Sequence, residues 1–434
     1  MSEIISIVVS AVIFIAIMVI FTKEKMDYVA WALLGALIAC IVYAQVDPAA
    51  TFEKFLGAIE FDALVFIIAM QIIVAIVERY KIFQWIVLKA LHFTKGDHKK
   101  FFYLICFIAS ISSAVVSDIT VGIIFVPLVI RACKILKIDS SPYLFGLSFT
   151  INIGSIWTPF SSSENILISS SFELDFIYFI THFTPIVIII LLFTTRLLDY
   201  VMLRKIQPPP ERQKRILMEI MDPDIVIVNR KKFRLNFIYF ALVIFSFVFF
   251  PDAYLPASIA AVTFCLLNRA EFVEMLKEID WKVISFFIAI FLIIGTMEFN
   301  HTFDYIGQLI GAILSENILV AAITVLLLIS VLSGFLAQIP TAIVFITLMQ
   351  KIYGANIPNL IIMAIILGIN IGSNFLPQGA ACDLITLNLA EKNKVEGYNY
   401  KTLLKNGSVM TLLHICNSIL YMTLFYLFVG PHMI

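Results

Sequence analysis

One passage that breaks an apolar helix occurs twice in this chain, 218 residues apart. The first copy runs from Asn152 to Asn165 and reads NIGSIWTPFSSSEN; the second runs from Asn370 to Asp383 and reads NIGSNFLPQGAACD. Polar backbone broken by Gly and Pro cannot face lipid, because its amides and carbonyls would have no partners there. Two such interruptions at corresponding places in two halves point to the binding site of a transporter.

The composition belongs to a membrane protein. Of 434 residues, 61% are hydrophobic and 14% are charged, and the mean hydropathy is +1.00. No ordinary soluble domain is this apolar, and runs long enough to span a bilayer recur along the chain. We therefore predict an all-α polytopic protein of the cell (plasma) membrane, embedded in the lipid bilayer and without a nucleic-acid partner.

A basic polar stretch at 196–234 divides the chain into two halves of similar size, 1–195 and 235–434. Basic loops mark the cytoplasm, so we predict that this linker is cytoplasmic. It is too short for a nucleotide-hydrolysing domain and has no Gly-rich phosphate-binding motif. ATP-driven transport by this chain alone is therefore not expected.

Each half contains one segment that is too long for a single span and has a small, polar middle. The charge rule places both ends of 101–133 in the cytoplasm, which predicts a re-entrant hairpin, and 318–350 is its counterpart from the outside. The segments 143–171 and 359–390 follow and contain the two breaks. Opposite polarity makes this an inverted-repeat transporter with two re-entrant hairpins and two broken helices. Lys351, a base on a predicted outer loop, departs from the charge rule.

Two further stretches, 78–95 and 303–315, precede the hairpins and are amphipathic. Helices that lie in the plane of the membrane interface have this pattern. We hypothesise that they connect a moving part of the transporter to a fixed frame.

The hairpin tips supply the first candidate ligands. A carboxylate inside a membrane segment is costly and is a functional candidate by default, which makes Asp118 the main candidate. The alternative is that Asp118 lies nearer the interface and caps a half-helix as its N-cap. The candidates in the two tips are Ser113, Ser117, Asp118, Thr120, Ser333, Gln338 and Thr341.

The breaks supply the second set, because carbonyls at a break can bind cations and amides at half-helix N-termini can hold anions. The alternative is an ordinary loop end between two spans. The candidates are Asn152, Thr158, Glu164, Asn165, Asn370, Ser373, Asn374 and Asp383. Asp118, Glu164 and Asp383 are acids, and none of the four motifs contains Lys or Arg. This favours a cation or proton at some step, and it leaves open an anion held by amides and coupled cations.

The histidines and cysteines carry less information. His182 and His414 lie in spans, where a lone His is more often a hydrogen-bonded structural residue than a proton relay. The six cysteines are scattered through apolar segments without metal-ligand spacing, so we interpret them as small core residues.

The four motifs together resemble the ion transporter clan of arsenite permeases, D-type sodium/proton antiporters, citrate transporter-like proteins and divalent-anion symporters. The clan's hairpin motif is similar to S-A-F-L-D-N-x-T-T-V, and the chain has SAVVSDITV from Ser113 and SGFLAQIPT from Ser333. Its broken-helix motif is similar to G-G-x-A-T-L-I-G-x-P-x-N, which the stretches from Gly154 and Gly372 match in length. The usual Asp-Asn pair is Ser-Asp in one hairpin and Ala-Gln in the other, and Asp383 replaces the final Asn.

The resemblance implies a scaffold, a transport part made of the hairpins and broken helices, elevator-like motion, and a homodimer. It implies ligands from the first half at Asn152, Ser155, Thr158 and Asn165, with partners at Asn370, Ser373 and Asp383. A coupling Na⁺ would have candidate ligands at Asp118, Asn152, Asn370 and Asp383.

We therefore expect a secondary-active ion transporter with elevator-type alternating access, coupled to H⁺ or Na⁺ and without other cofactors. One alternative is a Na⁺/H⁺ antiporter. Another is a channel, or the membrane subunit of an anion efflux pump whose ATPase partner docks on the basic linker. An enzyme is disfavoured, because no nucleophile–base pair or metal constellation is present.

Overall fold

A computed structural model describes residues 2–21, 26–250, 253–336, 338–354 and 356–429; Ala337 of the second hairpin motif lies outside them. Within these ranges the regular structure is helical. The helices before the linker are α1 (Ser2–Phe21), α2 (Tyr28–Ala44), α3 (Phe52–Leu56), α4 (Phe61–Arg79), α5 (Ile82–Phe93), α6 (His98–Ser113), α7 (Asp118–Leu136), α8 (Ser141–Gly154), α9 (Ser163–Ser171) and α10 (Phe176–Val201). The linker contains α11 (Glu211–Ile220). The helices after it are α12 (Arg230–Ser246), α13 (Tyr254–Asn268), α14 (Phe272–Leu276), α15 (Trp281–Phe299), α16 (Thr302–Ile313), α17 (Ile318–Leu336), α18 (Gln338–Tyr353), α19 (Asn359–Gly372), α20 (Ala381–Lys392) and α21 (Tyr400–Val429).

Seven helices in the described ranges are long and apolar enough to cross a membrane: α1, α4, α7, α10, α15, α17 and α21. Several present large apolar side chains to the surroundings. On α1, Ile4 and Ile15 are 64% and 61% exposed, which suits a lipid-facing helix. The backbone donors and acceptors of a helix are satisfied within it, which is why helices suit this environment.

The helices on the two sides of the linker correspond one to one, from α1 with α12 to α10 with α21. Their packing partners are exchanged: α2 packs on α15 while α13 packs on α4, and α7 packs on α20 while α18 packs on α9. Reciprocal contacts of this kind are what a two-fold relation between two copies produces. The predicted boundaries between the linker and the two halves, at 195 and 235, stay predictions. In the structure α10 runs on to Val201 and α12 begins at Arg230.

Each predicted hairpin consists of two consecutive helices. The first consists of α6 and α7, which extend three residues beyond the predicted 101–133 at each end, and the second of α17 and α18. The predicted broken segments are also interrupted: α8 and α9 are separated by 155–162, and α19 and α20 by 373–380. That the hairpins re-enter the membrane stays a prediction.

Each hairpin is fastened to its broken helix by the same two contacts. The hydroxyl of Ser113 donates to the Ile151 carbonyl at 2.8 Å, and that of Ser333 donates to the Ile369 carbonyl at 2.8 Å. The second contact lies one turn earlier on the hairpin helix. A Cβ atom at Gly154, the last residue of α8, would overlap the Ser110 carbonyl of α6. A Cβ atom at Gly372, the last residue of α19, would overlap the Ser330 carbonyl of α17 in the same way. Only glycine permits these crossings.

The two amphipathic stretches form α5 and α16, which pack against the second hairpin arms α7 and α18. Lys351, the base that departs from the charge rule, lies at the end of α18. Its ammonium is 3.1 Å from the Asp304 carboxyl on α16. His301 is 2.7 Å from the same carboxyl. Hydrogen bonds from Lys351 and His301 hold the pKa of Asp304 below its usual value. Lys351 therefore ties α16 to the hairpin, which accounts for a base at this position.

Candidate ion-binding site

Three acids stand in the first turns of helices that meet at the two breaks. Asp118 is the first residue of α7, Glu164 the second of α9 and Asp383 the third of α20. Ser117 occupies the N-cap position of α7, so the alternative that Asp118 is the N-cap is wrong. Asp118 is half-buried, whereas Glu164 and Asp383 are 4% and 1% exposed. The carboxyl of Asp118 lies close enough to the other two for ionised forms to repel.

The first cluster joins α8 to the second break. The amide nitrogen Nδ2 of Asn152 donates to Asn374 Oδ1 at 2.8 Å and to Asp383 Oδ2 at 3.4 Å. The thiol of Cys382 donates to Asn152 Oδ1 at 3.0 Å. Both polar atoms of the Asn152 amide are therefore in use, and Nδ2 of Asn374 is buried without a partner among the described residues.

The second cluster is the counterpart of the first and joins α19 to the first break. Nδ2 of Asn370 donates to Asn165 Oδ1 at 2.9 Å and to the Ile366 carbonyl at 2.8 Å. Nδ2 of Asn165 donates to the carbonyls of Ser155 at 2.6 Å and Thr158 at 3.2 Å. Oδ1 of Asn370 is buried and has no hydrogen-bond partner in the part of the chain that the structure describes.

The two break loops are held differently. In the first, the Ser161 hydroxyl donates to the carbonyls of Ser155 and Thr158, and the Thr158 hydroxyl donates to the Ala114 carbonyl in the hairpin tip. In the second, Gly379 takes the place of Ser161, and a Cβ atom there would overlap the Ser373 carbonyl. The first loop is therefore held by side-chain hydroxyls, and the second by close backbone packing.

The structure brings together most of the predicted site residues. The buried ones at the breaks are Asn152, Ser155, Thr158, Glu164, Asn165, Asn370, Ser373, Asn374 and Asp383. In the hairpin tips, Ser117, Asp118, Thr120 and Gln338 are half-buried and Thr341 is buried. Ser113 and Ser333 use their hydroxyl protons to fasten the hairpins. The described residues contain no group of three or more His, Cys, Asp or Glu placed to hold a metal ion.

The prediction from sequence missed two contributors. Cys382, interpreted as a core residue, hydrogen-bonds Asn152 inside the site. Tyr398 hydrogen-bonds Ser148 at 2.7 Å, and Ser148 lies beside Asp383. One signal could have revealed the thiol, because Cys382 lies 218 residues after Glu164 and therefore occupies its repeat position.

A cavity of about 400 Å³ lies beside the first break. Its lining includes Asp62 and Phe66 of α4, Phe160 in the break and Glu173 after α9. Tyr254 of α13 also lines it. The cavity therefore borders both the first break and helices that lie outside the hairpins and broken helices.

Comparison with known proteins identifies the family. A family model described as citrate transporter matches residues 3–368. The chain belongs to the citrate transporter family. Among relatives of this transporter, an uncharacterized transporter of Mycobacterium tuberculosis is 22% identical over 430 residues, covering 96% of this chain and 98% of that protein. The human P protein is 22% identical over 483 residues, covering 92% of this chain and 57% of that protein.

A solved structure is similar to this transporter in fold. The crystal structure of the Alcanivorax borkumensis YdaH transporter, described as having an unusual topology, matches with a TM-score of 0.63 at 10% identity. The match covers 93% of this chain and 98% of that one. The comparisons confirm the predicted clan resemblance, the all-α polytopic fold and a multi-pass membrane transporter that is not an enzyme.

Proposed function

We propose that this transporter is secondary-active and moves a small carboxylate anion, with H⁺ or Na⁺ as the coupling cation. The observation that carries the proposal is the meeting of Asp118, Glu164 and Asp383 at helix N-termini, in motifs without Lys or Arg. The acids would hold the cation, and the surrounding amides and hydroxyls would hold the anion.

Charge balance supports a coupled cation. Several ionised carboxylates in a site with little solvent repel one another and are costly without a counter-charge. A proton or Na⁺ removes that cost. An anion could enter only once the acids are neutralised, so substrate binding would depend on cation binding. That dependence is what couples the two fluxes.

Helix direction and family support the anion. The N-termini of α7, α9, α18 and α20 lie at the hairpin tips and breaks, and such termini carry partial positive charge. Membership in the citrate transporter family favours a carboxylate among small anions. The inference of the substrate class from the family is an analogy, so it requires a direct test.

The packing also supports elevator-like alternating access. The hairpins and broken helices pack on one another, while α2, α4, α13 and α15 form exchanged pairs that we assign to the scaffold. The cavity beside the first break borders both groups. In our proposal the first group moves as a body against the second and carries the site with it.

Purified protein in ATP-free proteoliposomes tests the proposal. We expect labelled citrate or a smaller dicarboxylate to accumulate above its external concentration when an inward Na⁺ or H⁺ gradient is imposed. Sodium-driven proton release without any anion would indicate the Na⁺/H⁺ antiporter instead. Absence of flux until an ATPase and ATP are supplied would overturn the proposal in favour of an efflux-pump subunit.

A matched pair of variants tests the acids. Asp383→Asn keeps the shape of the side chain and removes its charge, and we expect coupled flux to fall at least about tenfold, equivalent to about 1.4 kcal/mol. Glu391→Gln changes an exposed acid on the same helix and should leave the flux unchanged. Equal fluxes in Asp383→Asn and the wild type would remove Asp383 from the mechanism.

A further inference from the structure

A second cavity, of about 380 Å³, lies where the basic linker ends. Trp85 of the amphipathic helix α5, Ile227 of the linker and five residues of α12 contribute to its lining. The two helices meet there through aromatic side chains, because the ring centroid of Trp85 is 5.4 Å from that of Phe233 on α12. The cavity is therefore built on the contact of an amphipathic helix with the beginning of an apolar one.

The part of α12 that lines the cavity changes from basic to apolar along one face. Its residues are Arg230, Phe233, Arg234, Phe237 and Ile238. Spacings of three and four residues place them in one stripe. The stripe extends over about 12 Å, since a helix rises about 1.5 Å per residue. Both guanidinium groups belong to the half next to the linker, and only apolar side chains follow. A phospholipid has the same order, a charged headgroup followed by acyl chains.

The two guanidinium groups are available to a ligand. Arg230 donates to the Asp224 carboxyl at 2.9 Å, in an exposed pair that leaves most of its five N–H donors unused. Arg234 is exposed and makes no hydrogen bond or ion pair with any described residue. Two bases against one acid leave a net positive charge at this end of the cavity. The first amides of α12 add to that charge, because a helix N-terminus is partially positive.

The residues next to the cavity suit the surface of a bilayer. Lys231 and Lys232 join the two arginines in the first turns of α12, and clustered bases at the end of a membrane helix attract anionic lipids. In the linker, Ile225 and Val228 are neighbours of lining residues and are 68% and 95% exposed. Exposed aliphatic side chains beside bases are typical of segments that insert into the membrane interface.

The first half lacks these bases at the corresponding place. Helix α1 corresponds to α12, but it has Glu3 in its first turn and contains no Lys or Arg. It nevertheless packs on α2 as α12 packs on α13. The bases of α12 are therefore not needed for that packing, and a different requirement accounts for them.

We propose that this cavity binds one anionic phospholipid from the leaflet on the linker side, which the charge rule predicts to be cytoplasmic. Its phosphate lies at Arg230 and Arg234, and an acyl chain follows Phe237 and Ile238. Trp85 supplies an aromatic ring of the kind found at membrane interfaces. Because α5 also packs on the hairpin helices α6 and α7, bound lipid would reinforce a contact next to the hairpin. The inference does not depend on the substrate or the coupling ion.

Lipid binding to the purified full-length protein tests the proposal. Delipidated protein in detergent is titrated with phosphatidylglycerol or phosphatidylcholine, bound lipid is counted by native mass spectrometry, and thermal unfolding is followed in parallel. We expect one retained phosphatidylglycerol and a rise in unfolding temperature that phosphatidylcholine does not produce at the same concentration. Equal effects of the two lipids would overturn the proposal.

Soluble phosphates separate a lipid site from a simple anion site. Glycerol 3-phosphate and inorganic phosphate supply the headgroup charge without acyl chains, so neither should raise the unfolding temperature at the concentrations at which phosphatidylglycerol does. Stabilisation by either of them that equals the effect of phosphatidylglycerol would show that the cavity takes a free anion, and would overturn the proposal.

A matched pair of double variants locates the binding. Arg230→Gln with Arg234→Gln removes the bases of the cavity, whereas Lys231→Gln with Lys232→Gln removes two neighbouring bases that do not line it. We expect the first pair to raise the phosphatidylglycerol concentration for half-maximal stabilisation at least about tenfold, and the second less than about threefold. Equal losses would mean a general attraction of the basic surface for anionic lipid and would overturn the proposal.

A single variant keeps the test available if the arginine double variant does not fold. Arg234→Gln changes a side chain that has no partner among the described residues, so we expect the protein to fold as the wild type does. It should raise the half-stabilising phosphatidylglycerol concentration about fivefold, the share of one base near an anionic lipid. An unchanged concentration would also overturn the proposal.

Discussion

The two broken segments share their packing and differ in their charge. Gly154 and Gly372 make the same backbone crossing, and Ser113 and Ser333 make the same hydrogen bond at 2.8 Å. At the start of the following half-helix the copies diverge: the first has Glu164 and Asn165, and the second has Cys382 and Asp383. The acid and its neutral neighbour have thus exchanged places.

This difference separates two kinds of position. Positions that are alike in both copies hold the hairpins on the broken helices, a requirement that the two-fold relation imposes equally on both. Among the positions that differ, Asn165, Cys382 and Asp383 hydrogen-bond the asparagines at the centre, where the copies meet. Unequal chemistry at the centre can therefore evolve without disturbing the fold.

The largest effect is expected at the shared glycines. Gly154→Ala and Gly372→Ala each place a methyl group against a backbone carbonyl, which cannot move away as a side-chain end can. We expect each to cost about 3 kcal/mol, the upper end of overpacking penalties, and to lower the thermal unfolding temperature similarly. Gly311→Ala on α16 is the control, because no heavy atom lies within 4 Å and alanine favours the helix. Markedly unequal losses at 154 and 372 would contradict the shared crossing.

A smaller and asymmetric effect is expected in the break loops. Gly379→Ser introduces an atom where the Ser373 carbonyl lies, and should cost about 2 kcal/mol because the loop can partly relax. Ser161→Gly removes hydrogen bonds to two carbonyls and should cost about 1 kcal/mol. Thermal unfolding of both variants measures the difference. If neither Gly379→Ser nor Ser161→Gly changed the unfolding temperature, the claim that the two loops are held differently would be wrong.

The smallest effect lies outside the breaks, where the connection after α2 carries an ion pair. Hydrogen bonds from Lys54, at 2.8 Å, and from Tyr43 lower the pKa of Asp47 to about 2 from 3.8. Because the folded pKa is depressed, the stabilisation is complete above pH 3.8 and is lost as the pH falls through about 2. The difference in unfolding temperature between the wild type and Asp47→Asn should be constant above about pH 5 and narrow below it.

The exposed Arg79–Glu278 pair, which joins the end of α4 to the loop after α14, supplies the comparison. Glu278→Gln should leave the unfolding temperature almost unchanged, since exposed ion pairs contribute little. If the difference in unfolding temperature between the wild type and Asp47→Asn grew toward acidic pH, the assigned Lys54–Asp47 ion pair would be wrong.

The sequence predicted the breaks and hairpins well because their signal is local. Gly, Pro and polar residues within an apolar run have no partners in lipid, so their positions identify the elements. The predicted ends of the first hairpin, 101 and 133, were less accurate. In the structure α6 begins at His98 and α7 continues through Lys134, because charged residues extend a helix beyond its apolar window. Lys351 departed from the charge rule because Asp304, on another helix, pairs with it.

The centre of the site could be predicted only in part. Its residues follow from the motifs. The contact of Asn152 with Asp383, 231 residues further along the chain, depends on how the two halves pack together. The role of Cys382 was hidden because buried cysteines usually act as small apolar residues. Comparing the copies position by position, which pairs it with Glu164, is the step that reveals it.

The most direct test is one structure determination by electron cryomicroscopy of the protein in lipid nanodiscs at pH 9 with sodium, beside a sodium-free sample. We predict the same crossing of each hairpin on its broken helix in both samples, and any sodium-dependent density only where Asp118, Glu164 and Asp383 meet. Different crossings in the two halves, or sodium-dependent density away from these acids, would contradict the claim that the two copies share their packing and that the acids hold the coupling cation.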